Sequence, residues 1–283
     1  MPKPQDIFQL AQQEAVRVTA SPQVWQSFLY TAAHNYHTTY LNQLLIHAQR
    51  PDAAACASME YWNTKANRLV MRGSRSITVL QRRQGMAVTK PVFAIGDTTL
   101  LSQTHTGGPW EVTDTTRPLL LQDKSDDWLV VLAQDGVSNE ADRARRMLER
   151  NVADSTLQWA QPDEQMQLLQ ALVTQSAVYI ARLRIGLPVR DEDFPAFQSV
   201  SQFDTCQISL CLGGYVQAAA EPMLDAIGRE VLRLKRDSIA IKHEPVHNES
   251  TRTQLNSREE AVTYDVHEEP RRLPDSEPFP AEP

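Results

Sequence analysis

The hydrophobic period of this chain changes at Pro51, and the change limits the folds open to it. Upstream, apolar residues recur at helical spacing through Trp25, Phe28, Leu29, Ala32, Ala33, Tyr36, Tyr40, Leu41, Leu44, Leu45 and Ala48, the pattern of a helix with one buried face. Ser21 before Pro22 supplies a cap and a first-turn proline, so one long helix is expected over 22–50, stopped by Pro51. Downstream a short helix is expected from Ser58, after which Asn67 turns the chain into β-type runs at 68–72, 76–80 and 91–95. With Gly73–Ser76 as the first connection and the polar 81–90 segment as the second, the simplest packing is a small antiparallel meander laid on the long helix. The expected fold class is α+β.

The rest of the chain reads as helical. Thr98–Lys124, rich in Thr, Gly and Pro, suggests a connecting loop. Helices are expected at 139–151, at 162–185 closed by Gly186 and Pro188, at 204–219 and at 222–236, with Asp204 and Glu221-Pro222 as starts. Residues 237–283 carry eleven acids and five bases with no apolar period, the composition of a disordered acidic tail or linker. The expected organisation is therefore an N-terminal extension (1–20), an α+β domain (21–100), a connecting segment (101–138), a helical subdomain (139–236) and the tail (237–283).

Composition narrows the function classes. A hydrophobic content of 41% with 22% charged residues in 283 suits a soluble globular protein and excludes disorder throughout. The longest apolar runs, such as Leu129–Ala133, are too short to span a bilayer, and the N-terminus lacks a signal peptide's apolar stretch. A cytoplasmic protein with no membrane partner is expected. Three cysteines (Cys56, Cys206, Cys211) without a CxxC pair indicate neither a disulfide framework nor a cysteine zinc site.

Charge is unevenly placed. From Arg68 to Lys90 β-type residues alternate with cations and no acid occurs; residues 1–95 hold ten Lys/Arg against four Asp/Glu, in a chain whose total is −7. An acidic protein with one basic segment has the electrostatic footprint of a polyanion binder. Single-stranded nucleic acid needs cations along its phosphates and flat side chains beneath its bases. Lys65, Arg68, Arg72, Arg75, Arg82, Arg83 and Lys90 supply the first, and Tyr61, Trp62 and Phe93 are candidates for the second. Against this, Arg68 and Arg72 also suit the exposed side of any strand, and Trp62 also suits a core. Asn42 reads either as a base-contacting amide, or one fixing a turn of the meander, or as a structural hydrogen bond within the helix. Arg50 reads as a phosphate contact or a complement to the helix C-terminus.

Several ordered blocks carry a resemblance. Tyr40-Leu41-Asn42-Gln43-Leu44-Leu45-Ile46-His47-Ala48-Gln49-Arg50-Pro51-Asp52-Ala53, then Trp62-Asn63, then Arg68-Leu69-Val70-Met71-Arg72-Gly73-Ser74-Arg75-Ser76-Ile77-Thr78-Val79, then Val92-Phe93-Ala94-Ile95-Gly96-Asp97-Thr98 resemble the N-terminal domain of ArdC-like antirestriction proteins. The version most similar stands at the front of large LtrC-like helicase or methylase polypeptides of Gram-positive conjugative elements. The match covers roughly residues 24–100, with weaker similarity to about 236. The resemblance implies a single-stranded DNA-binding α+β module of a bacterial mobile element. It also implies that helicase or methylase domains of the same element are partners, and that the helical region is a degenerate peptidase-like domain. Ser76 departs from the family, which commonly has glycine after the second cation of its basic turn.

Other constellations are weaker. His243-Glu244-Pro245-Val246-His247 satisfies HExxH formally, but Pro245 would break the helix that must align the two histidines, and Thr106–Lys242 contains no histidine. The acids at Glu149, Asp154, Asp163 and Glu164 and at Asp191–Asp193 suit helix starts. Gly107-Gly108 and Gly213-Gly214 match neither GxGxxG nor GxxxxGK[ST]. No catalytic residue, metal or cofactor is expected. The alternative reading is a protein-interaction or scaffold domain, and a zinc metallopeptidase stands behind both.

Overall fold

The computed structural model describes residues 2–101 and 110–243, all within one compact unit. Helix α1 (Pro4–Val18) forms where an extension was expected. Its Ala15 and Val18 enter the main core and its Ile7 and Ala11 a smaller one, so the segment is structural.

The expected long helix is two helices, α2 (Pro22–His34) and α3 (Tyr40–Gln49). The break has local causes. Asn35 turns its side chain onto backbone, its Nδ2 donating to the Thr31 and Ala53 carbonyls at 2.9 Å while its Oδ1 accepts from Cys56 N at 2.8 Å. Thr39 then caps α3. Asn and Thr compete in this way with the helical ladder, and the apolar spacing that continues across them belongs to two helices sharing one core.

After α4 (Met59–Thr64) come β1 (Arg68–Val70), β2 (Ile77–Arg83), β3 (Met86–Val92) and β4 (Thr98–Leu100). They make two two-stranded antiparallel sheets, β1 with β4 and β2 with β3, rather than one meander. The polar 81–90 segment is mostly strand. Gln84 and Gly85 both have positive φ (51° and 81°), the two-residue turn whose twist suits a hairpin. Gly73 (φ 89°) turns the chain between β1 and β2. Ser76 is not among the positive-φ residues, so a serine at this position causes no backbone strain.

The C-terminal part adds α5 (Thr116–Leu121), α6 (Trp128–Asn151), α7 (Pro162–Ile185) and α8 (Cys206–His243). Helix α6 begins well before residue 139, and α8 runs through Pro222 where two helices were expected. Ala219, Ala220, Met223, Leu224, Ile227 and Val231 are all buried, and this unbroken apolar face holds the helix across the proline. One core joins Trp25, Phe28 and Leu44 to Leu169, Leu172, Ile208 and Leu212, so it does not divide between the first 100 residues and the helical region. Trp25 Nε1 donates to Ser176 Oγ at 3.0 Å across that junction. Gly213 is required there, since a Cβ would fall 1.9 Å from the Tyr40 ring. The described structure is α+β. Among its residues no helix is long and apolar enough to cross a membrane.

Candidate nucleic-acid interface

Helix α3 positions the hairpin by its edge. In an antiparallel pair alternate residues of a strand point their backbone groups away from the partner, and on β2 these are Thr78 and Leu80. Asn42 Nδ2 donates to the Leu80 carbonyl at 2.9 Å and Asn42 Oδ1 accepts from Leu80 N at 3.0 Å. Gln49, two turns on, does the same at Thr78 with distances of 2.8 and 2.9 Å. Two side-chain amides thus take the place of a third strand. Asn42 holds a strand, which corrects both the base-contact reading and the helix-internal one. Gln49 was not singled out from the sequence, although its spacing of seven from Asn42 is the signal for a shared helix face.

The base of the hairpin is gripped on both faces. Ile77, Val79 and Val92 pack with Ile46, Ala53 and Ala94, and Leu80 packs with Ile7, Ala11 and Leu45. Beyond it every residue from Gln81 to Ala87 is exposed, Arg82 and Arg83 included.

Apart from Asn42, the eleven other residues singled out from the sequence separate into two groups. Trp62 is 1% exposed and donates its Nε1 hydrogen to the Phe93 carbonyl at 2.9 Å; Phe93 is buried beside it and pairs its backbone with Ala57. Neither ring has a face to offer a base, because both are needed to close the small core under β1. Arg50 is half-buried and bound to Asp97 at 2.7 Å. Arg68 lies along β4, its Nε donating to Thr98 Oγ1 at 2.6 Å. These cations are occupied internally. In the second group Lys65, Arg72, Arg75, Arg82 and Arg83 are exposed, Lys90 is half-buried on β3, and Tyr61 is 43% exposed. No acid stands between Glu60 and Asp97, and Asp97 is taken by Arg50. Among the described residues Lys65, Arg72, Arg75 and Arg83 have no ion pair, whereas Arg17, Arg117, Arg143, Arg182, Arg190 and Arg233 each have a carboxylate.

Elsewhere, one polar line has the order of a nucleophilic relay. Ser27 Oγ lies 3.2 Å from His47 Nε2, and His47 Nδ1 lies 2.5 Å from Glu14 Oε1. Arg17 forks the same carboxylate with two bonds of 2.6 Å. Burial pushes the Glu14 carboxyl up, but the bonds from His47 and Arg17 outweigh it and hold its pKa below the ordinary value. Ser27 lies inside α2, where the neighbouring backbone N–H groups belong to the helix and are not free to act as oxyanion donors. The line ties α1, α2 and α3 together.

Burial pushes the thiols of Cys56 and Cys211 up to about 12, away from nucleophilic chemistry. Asp193 is engaged by Arg182 and Arg190. Among the described residues no group of three or more His, Cys, Asp or Glu is placed to hold a metal ion. Glu244–His247 of the HExxH match and the tail from 244 lie outside the described residues, as does Gly107-Gly108. A cleft of about 610 Å³ between α6 and α7 shares no residue with the basic region. Two of its polar groups are engaged, Gln175 by Ala196 N and Asp193 by the arginines.

No family model, no curated protein and no solved structure matches the chain.

Proposed function

We propose that this chain is a non-catalytic single-stranded DNA-binding module of ArdC-like type, belonging to a bacterial mobile element and holding a single strand around conjugative transfer. The observation that carries the reading is the set of exposed cations Lys65, Arg72, Arg75 and Arg83, with the half-buried Lys90, in an acid-free stretch of a chain that elsewhere pairs many of its arginines with carboxylates. Unpaired cations keep their full attraction for phosphate, while a paired one must first give up its partner. The resemblance over residues 24–100 points the same way. Helicase or methylase domains of the same element are the proposed protein partners, and the proposed location is the cytoplasm.

Fluorescence anisotropy with single- and double-stranded oligonucleotides over a range of salt tests this. If about five phosphates are neutralised, log K falls against log salt with a slope of about −3.5. Arg72→Glu with Arg75→Glu weakens binding strongly at an unchanged melting temperature, since exposed cations contribute little to stability. The control is Arg146→Glu with Arg150→Glu, exposed on α6. Equal loss from the control pair, or binding indifferent to salt, would reject the assignment.

A further inference from the structure

The hairpin leaves the protein body halfway along its length. With Ile77, Val79 and Leu80 buried and Gln81 to Ala87 exposed, its distal three pairs project by roughly 10 Å at the rise of a strand. The register sets Val79 opposite Lys90, Gln81 opposite Val88 and Arg83 opposite Met86. Directly paired residues share a face, as do alternate residues along a strand. Lys90, Gln81, Val88, Arg83 and Met86 therefore line one side of the ribbon, and Arg82 with Ala87 the other.

That side has an unusual composition. Met86, at the tip, is 64% exposed, in a position where a polar residue would cost nothing. It stands next to Val88 between two cations, with no acid nearby in sequence to suit a basic protein partner. Phosphate contacts alone have no use for an apolar tip. Bases do: their faces are apolar, and a thioether makes favourable contacts with flat rings. The burial of Trp62 and Phe93 also removes two of the three aromatic platforms otherwise expected.

We infer that this side of the hairpin is the base-contacting platform for a single strand of DNA. Met86 and Val88 lie against base faces, Arg83 and Lys90 meet the phosphates on either side, and Gln81 faces base edges. The inference rests on the single-strand reading and narrows it: the hairpin holds bases as well as backbone.

The test uses the full chain at fixed low salt and two probes of equal length, an oligothymidylate and an abasic oligonucleotide with the same phosphates. The wild type should bind the thymidylate about three- to tenfold more tightly than the abasic strand. Met86→Ala should lose that preference, leaving abasic binding and the melting temperature unchanged, and Met86→Trp should strengthen it. Equal binding of both probes by the wild type, or equal losses on both in Met86→Ala, overturns the platform while leaving the DNA reading intact. Binding of neither probe overturns the DNA reading itself, and the platform with it. A concentration-dependent dimer abolished by Met86→Ala would assign the tip to a second copy of this chain and also overturn the inference.

Discussion

Trp62 shows how far a residue's type can mislead when its neighbours are unknown. An aromatic beside a basic run suits base stacking, yet here the indole closes a small core with Ala66 and Phe93. Trp62→Ala should therefore cost about 3–5 kcal/mol of stability, read by urea denaturation, with single-strand affinity of the remaining folded protein unchanged. A loss of affinity at constant stability would return the ring to the binding surface. The cations divide for a similar reason: Arg50 and Arg68 found Asp97 and Thr98 at tertiary distance, contacts of 47 and 30 residues' separation that no local pattern announces. Glu14 supplies a second prediction. Its native pKa is lowered, so its contribution to stability is fully present above the ordinary carboxylate value of 4.5 and is lost as pH falls through the lower native value. Glu14→Gln should cost about 1–3 kcal/mol at neutral pH and flatten the acid limb of the stability profile. An acid limb as steep as the wild type's would mean that other carboxylates set it.

At the scale of elements, the hairpin depends on α3 as much as on its own turn. Asn42 and Gln49 each satisfy one N–H and one C=O of β2, and removing an amide leaves both without a partner. Asn42→Ala and Gln49→Ala should each cost about 1–3 kcal/mol, and Asn42→Asp more than Asn42→Ala, because a carboxylate would face the Leu80 carbonyl. Hydrogen exchange at the Thr78 and Leu80 amides is the direct readout, and protection there equal to the wild type's would contradict the arrangement. The elements themselves were legible to different degrees. Helix α7 stands where 162–185 was expected because its proline start and Gly186 stop are both local signals. The hairpin was hidden because Gln84-Gly85 is a less common turn pair than Asn-Gly, and because cations on an exposed strand look like loop. Helices α2 and α3 share one apolar period, and period alone does not register a break made by Asn35 and Thr39. Pro222 marked a false boundary, since burial of Met223, Leu224 and Ile227 outweighs one missing backbone bond.

At the scale of the molecule, the sequence suggested domains where the structure has one core. Composition shifts at residues 100 and 139 mark a change from mixed to helical structure, whereas the core is set by which faces meet, and Trp25 meets Ser176. The charge separation, by contrast, needs no structure to be seen, and it leads to the last prediction. Residues 244–283 hold ten acids and four bases, a net of −6, which leaves 1–243 close to neutral. A negatively charged segment joined to a phosphate-binding module opposes association at long range, and the effect fades once the Debye length falls to a few ångström. Removing 244–283 should raise single-strand affinity about three- to tenfold at low ionic strength and change it little near 1 M salt. The melting temperature should hold, because the last residue packed into the main core is Leu234, ahead of the segment removed. Anisotropy titrations of both chains at the two salt concentrations check this. Weaker binding by the shortened chain at low salt would mean that the acidic segment takes part in holding the strand rather than repelling it.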